Sequence, residues 1–140
     1  INNDGGVKIF GRSDSTLNPG GVRIGTSEIY RVIDNYEKVN DSLAIGLEND
    51  SDELIILFVI MSDGYQLNEK IDYEIKYLIR KSCSPRHVPY RIIGTSEIPY
   101  TLNGKKVEIA VKRLINGSNE VNSDGIINPE SLLFYKNLKI

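Results

Sequence analysis

Leu54-Ile55-Ile56-Leu57-Phe58-Val59-Ile60-Met61 is apolar at every position. A half-buried strand alternates apolar and polar residues, so an unbroken run of this length suits a central strand covered on both faces, with a helix on each side. It is far too short to cross a bilayer. Just before it, Leu43, Ile45 and Leu47 alternate with Ala44, Gly46 and Glu48, as in a strand with one buried face, and Glu48-Asn49-Asp50-Ser51-Asp52 is the charged turn between the two. On the other side, Asn68 can cap a helix whose stripe is Ile71, Ile75, Leu78 and Ile79. Ser84-Pro85-Arg86-His87-Val88-Pro89 is a stiff connector, and Tyr90-Arg91-Ile92-Ile93 reads as a third strand.

Farther out, Ile29, Val32, Ile33 and Tyr36 predict a helix over 27–37 with Thr26 as its N-cap. Val107, Ala110, Val111, Leu114 and Ile115 predict another, with Glu108, Lys112 and Arg113 on or near its exposed side and Asn116-Gly117 ending it. Val7-Lys8-Ile9-Phe10 is strand-like, and Val22-Arg23-Ile24 could be a short returning strand. Pro129 opens a short helical pattern through Tyr135. The expectation is an α+β fold: a small central three-stranded sheet flanked by helices, preceded by a short two-stranded hairpin. Residues 1–13 form the end of that hairpin, 14–117 the main domain, and 118–140 a tail docking back on it.

The 17 basic and 19 acidic residues, for a net charge of −2, argue against a general nucleic-acid binder, which needs a basic surplus. Cys83 and His87 are the only cysteine and histidine, which excludes disulfide frameworks and Cys- or His-based metal clusters and suggests a reducing cytoplasm. Cys83, at an apolar helix end, reads as a small buried hydrophobe. With no signal segment and no spanning run, no membrane partner is expected. The chain begins with Ile rather than Met, as an excised piece would.

Two loops carry the chemistry. Pro99-Tyr100-Thr101-Leu102-Asn103-Gly104-Lys105-Lys106 sets a lysine directly after a glycine and just before a helix, where a mobile loop could hold its amine toward an anion. The other runs from Gly11-Arg12-Ser13-Asp14 through Gly20-Gly21-Val22-Arg23-Ile24-Gly25 to Glu28-Ile29. Its glycines permit close backbone approach, and Arg12 and Arg23 are forked donors suited to phosphate. Neither is a Walker loop: Pro99 stands where the first glycine should be and Lys106 where a hydroxyl residue should be. Arg80 sits in the last turn of its helix, where the dipole alone can account for a cation.

Taken together, the loops resemble the Gly-Arg-x-Asp hinge motif, its Gly-x-Arg-[Ile/Leu]-[Gly/Ser]-x-x-Glu extension and the Pro-x-x-x-x-Gly-Lys motif of the adenylate-forming superfamily. Acyl-CoA synthetases, nonribosomal peptide adenylation domains and luciferases belong to it. Only the small C-terminal lid domain is matched, over essentially all 140 residues. Residues 16–26 and 84–89, Gly104-Lys105-Lys106-Val107-Glu108 and Asn128-Pro129-Glu130 look most like the branch that activates acetoacetate.

The resemblance implies ATP-dependent ligation of acetoacetate to CoA through an acyl-adenylate, with ATP and CoA as substrates. It implies Mg2+ accompanying ATP outside this domain. Lys105 would be the catalytic lysine and an ATP- and adenylate-binding residue, Arg12 a second one, and Asp14 the hinge. Gly21, Arg23 and Arg80 would bind CoA. Ser15 stands where many relatives carry a second Asp. The main ATP site and acyl pocket would belong to a large N-terminal adenylation domain, without which this piece should not catalyse. The alternatives are a stand-alone CoA- or nucleotide-binding module and the lid of another short-chain acyl-CoA synthetase. Arg86 and His87, flanked by prolines, read as structural.

Overall fold

The computed structural model describes residues 16–50, 52–118 and 124–138. Strands β1 (Thr16–Leu17) and β2 (Ile24–Gly25) pair antiparallel, Leu17 against Ile24, across a 3-10 turn at Pro19–Gly21. Helix α1 (Thr26–Asp34) follows, then β3 (Val39–Asn49), β4 (Asp52–Met61), α2 (Glu69–Ser82), β5 (Arg91–Gly94) and α3 (Glu108–Ile115). A 3-10 turn at Pro129–Ser131 leads into the short α4 (Leu132–Lys136).

The apolar run is the centre of a sheet ordered β3-β4-β5, with β3 antiparallel and β5 parallel to β4. Its alternate side chains feed two cores. Ile55, Leu57 and Val59 pack with Ile29 and Ile33 of α1, Ile71, Ile75 and Ile79 of α2, and Leu17 and Ile24 of the hairpin. Ile56 and Phe58 face the opposite way, onto Val111 and Leu114 of α3 and Leu132 and Tyr135 of α4. Residues 55 to 59 are all buried, as a strand with helices on both faces requires. Tyr135 is fully buried against Phe58, edge to face at 4.9 Å, and its hydroxyl donates to Glu97 O at 2.9 Å. Burial pushes that phenol up to about 12.

β3 is an edge strand, and three of its outward backbone groups are taken by side chains. Ala44 N–H donates to the Tyr30 hydroxyl at 2.9 Å. Two residues on, the Asn116 amide donates to Gly46 O at 3.1 Å and accepts from Glu48 N–H at 2.8 Å. Gly46 itself is required by its neighbour on β4: a Cβ there would stand 2.3 Å from the Glu53 carboxyl carbon.

Asn68 caps α2 as the sequence indicates, accepting from Ile71 N–H at 2.9 Å. Two details differ from the sequence reading. Gly25, not Thr26, is the N-cap of α1, and Thr26 lies buried within the first turn. The cap is built in reverse, with Gly25 N–H donating to the Glu28 carboxylate at 3.1 Å, so no hydroxyl is needed. Glu108 is not on an exposed side but 5% exposed, because the Tyr30 hydroxyl comes round the edge of β3 to donate to it. The hairpin seen is β1-β2; Val7–Phe10 lies outside the described residues.

Candidate functional site

Lys105 stands on a turn whose two stems are bridged, Tyr100 opposite Lys106. Thr101 N–H donates to Lys105 O at 2.8 Å, Gly104 N–H to Thr101 O at 2.9 Å, and Lys105 N–H to Thr101 Oγ1 at 3.1 Å. Gly104 adopts φ +81°, the left-handed conformation that glycine enters without penalty, and this tight reversal places Lys105 outward. The segment 124–128 lines the turn's outer side: Leu102 N–H donates to Gly125 O and Ile127 N–H to Tyr100 O, at 2.9 and 2.8 Å. Asn128 accepts from Tyr100 N–H at 3.1 Å. The loop expected to be mobile is therefore a cross-linked turn with an exposed lysine at its end.

Below the turn the side chains of its stems separate from Lys105. Lys106 lies 3.4 Å from Asp41 of β3 and 3.5 Å from the ring centroid of Tyr30. The Tyr100 hydroxyl donates to the other oxygen of the same Asp41 carboxylate. Burial first, then that carboxylate, holds the Tyr100 phenol well above its usual range.

The second set of expected residues belongs with the other face of the sheet. Gly20 and Gly21 both have positive φ, +61° and +82°. Gly20 N–H donates to Asp52 at 2.8 Å and Asn18 N–H to Glu53 at 3.0 Å, so the acidic turn between β3 and β4 fixes the glycine loop from below. The hydrogen bond from Gly20 is the main reason the Asp52 carboxyl sits below its ordinary range. A Cβ at Gly20 would strike Arg86 Nη1 at 2.4 Å, whereas at Gly21 it would meet nothing within 4 Å among the described residues. Arg23 is exposed beside the hairpin, and Arg80 is exposed in the last turn of α2. Arg80 borders a groove of about 320 Å³ lined by Tyr73, Lys76, Tyr77, Pro85 and Val88. His87 links this side together: its Nε2 is 3.2 Å from Glu28 and its Nδ1 2.6 Å from Ser84 Oγ.

The fold thus gathers Gly21, Arg23 and Arg80 with the core that α1, α2 and the hairpin cover, while Lys105 leads into α3 on the opposite core. Arg12 and Asp14 lie outside the described residues. Cys83 is partly exposed at the C-terminus of α2, its thiol pushed up chiefly by burial. Sequence reasoning did not single out Asp41 or Tyr30, whose partners lie 59 and 78 residues away. No local pattern could have paired them.

A three-stranded sheet between helices, preceded by a hairpin, is the architecture of solved adenylate-forming enzymes, and the chain belongs to that superfamily. The architecture is shared with an acyl-CoA synthetase from Brucella canis, 26% identical with a TM-score of 0.64 over 69% of this chain and 18% of that one. Within the superfamily the chain is similar in sequence to acetoacetyl-CoA synthetases. It is 45% identical over 135 residues to acetoacetyl-coenzyme A synthetase of Rhizobium meliloti (strain 1021), a match covering 96% of this chain and 21% of that protein. Acetoacetyl-CoA synthetase from Streptomyces lividans superposes with a TM-score of 0.80 at 41% identity, over 90% of this chain and 19% of that one. The chain therefore spans about a fifth of the length of these relatives. No family model matches it.

Proposed function

We propose that the chain is the C-terminal lid of an acid–thiol ligase that joins acetoacetate to CoA at the expense of ATP. A carboxylate oxygen of acetoacetate attacks the α-phosphorus of ATP, pyrophosphate leaves, and the acyl-adenylate forms. The CoA thiolate then attacks the acyl carbonyl and AMP leaves. The observation that carries this reading is that the lysine turn leads into α3, which packs on one core, while the glycine loop lies in the hairpin that packs on the other. Each half-reaction is accordingly assigned to one of the two.

In the first half-reaction the Lys105 ammonium offsets the negative charge gathering between the carboxylate and the α-phosphate, a task for a positioned cation rather than a base. Arg12 contacts the nucleotide in the same state. Rotation about Asp14 then withdraws Lys105 and presents Gly21, past which the pantetheine arm runs, with Arg23 and Arg80 toward CoA. We assign Mg2+ to the ATP it accompanies, outside this domain. We place the enzyme in the cytoplasm, where a lone cysteine stays reduced; no helix among the described residues is long and apolar enough to cross a membrane.

In the full-length protein, Lys105→Ala should abolish acetoacetate-dependent ATP–pyrophosphate exchange while thioester formation from supplied acetoacetyl-adenylate continues. Equal loss of both half-reactions would overturn the assignment. A stand-alone CoA-binding module would show no exchange at all, and the lid of another short-chain synthetase would prefer a different acid in the same assay.

A further inference from the structure

Both stems of the lysine turn converge on one side chain of β3. The Tyr100 hydroxyl donates to Asp41 Oδ2, and the Lys106 ammonium lies 3.4 Å from Asp41 Oδ1. Tyr100 and Lys106 are bridge partners, so their backbones are already tied together across the turn. Asp41 is presented by an irregularity in its strand: the β3-β4 register shifts between Val39 and Asp41. A bulge of this kind re-aims a side chain. Asp41 Oδ1 also accepts from Ser42 N–H at 2.8 Å, which fixes the carboxylate from its own backbone.

The other wall is Tyr30 of α1. Its ring lies 3.5 Å beneath the Lys106 ammonium, a cation–π contact in a largely desolvated place, where such contacts are strongest. The ring is pinned at its hydroxyl, which accepts from Ala44 N–H and donates to Glu108 at the start of α3. Lys106 is mostly buried, with 17% of its side chain exposed, while the adjacent Lys105 is exposed. Successive residues of an extended stem point to opposite sides, so a fixed Lys106 dictates the direction in which Lys105 leaves the turn.

We propose that Asp41, Lys106 and Tyr30 form a clamp that positions Lys105 for adenylate formation, with Tyr100 as its second arm. The clamp residues do not touch substrate; they act through the turn. This rests on the assignment of Lys105 made above. A cation that stabilises a transition state has to be in place before charge develops, and a shift of about 1 Å far from the chemistry can cost a hundredfold in rate.

The test uses the full-length synthetase and its two half-reactions, followed with acetoacetate, ATP and pyrophosphate, and with CoA and supplied acetoacetyl-adenylate. Lys106→Met keeps the length and loses the charge; it should lower kcat of exchange by about ten- to a hundredfold with KM for ATP little changed. Thioester formation should stay within about threefold, and Lys106→Arg, which keeps the ion pair and the ring contact, should recover most of the exchange. Tyr100→Phe, which removes one hydroxyl and no packing, should lower exchange several-fold with the same selectivity. Unchanged exchange in Lys106→Met, or equal loss of both half-reactions in Tyr100→Phe, would overturn the clamp. Lys105→Ala run alongside separates the two ideas. If it abolishes exchange while Lys106→Met does not, only the clamp falls; if it leaves exchange intact, the assignment of Lys105 falls first.

Discussion

Tyr100 and Lys106 hold the two oxygens of one carboxylate, that of Asp41, from opposite stems of the lysine turn. The consequence is that the turn is braced against the sheet below the point at which Lys105 departs. Its stiffness is side-chain chemistry from β3 and α1, added to the backbone bonds within the turn itself.

Gly21 and Gly20 both carry positive φ, but their surroundings separate strain from crowding. None of the described residues would touch a Cβ at Gly21, so Gly21→Ala should cost stability chiefly through its backbone, about 1–2 kcal/mol. Its larger effect should fall on thioester formation, with exchange spared. Equal slowing of both half-reactions would mean that the pantetheine arm does not pass this residue.

Gly46→Ala makes the opposite case. The new Cβ would meet the Glu53 side chain at 2.3 Å, forcing it off Asn18 N–H and Lys112, to which Glu53 is bonded at 3.0 and 3.2 Å. Overpacking of this kind costs about 1–3 kcal/mol. Thermal unfolding should detect it, and an unchanged midpoint would show that Glu53 has an alternative position.

Ser42 is fully buried on β3, and its hydroxyl is the one buried side-chain polar atom without a partner among the described residues. Removing an unsatisfied hydroxyl relieves its desolvation penalty. Ser42→Ala should therefore be neutral or stabilising by about 1 kcal/mol in denaturant unfolding. A clear loss of stability would reveal a partner for that oxygen.

Among the described residues, three carboxylates titrate below their ordinary values. Glu28 is held down first by Gly25 N–H, Asp52 by Gly20 N–H, and Glu74 by the Tyr36 hydroxyl at 2.5 Å. A depressed native carboxyl contributes stability that is present above its unfolded value, about 4, and disappears as pH falls through the native value. The unfolding midpoint should hold steady from neutrality to about pH 5 and fall below pH 4. Glu28→Gln should flatten that fall, which a pH series of melting curves would show.

Most of the fold is legible in the sequence because it follows from periodicity. The unbroken run at 54–61 announces a central strand, and the Ile71, Ile75, Ile79 spacing marks the buried stripe of α2. What is not legible depends on one side chain crossing the sheet edge. Glu108 lies on the polar side of α3 by spacing alone, and only Tyr30 coming round β3 makes that side an interior. Lys106 next to Lys105 looks like a repeated surface charge until the bridge to Tyr100 sets them on different sides. The Lys105 turn itself was visible as a motif; its bracing was not.

The Tyr30 hydroxyl and the Asn116 amide occupy Ala44, Gly46 and Glu48 in succession along β3. An uncovered edge strand is a template on which another chain can add. Along β3 three successive sites of such a template, Ala44 N–H, Gly46 O and Glu48 N–H, are already occupied by the domain's own side chains. Tyr30 and Asn116 thus leave less of the β3 edge open to pairing with a second chain.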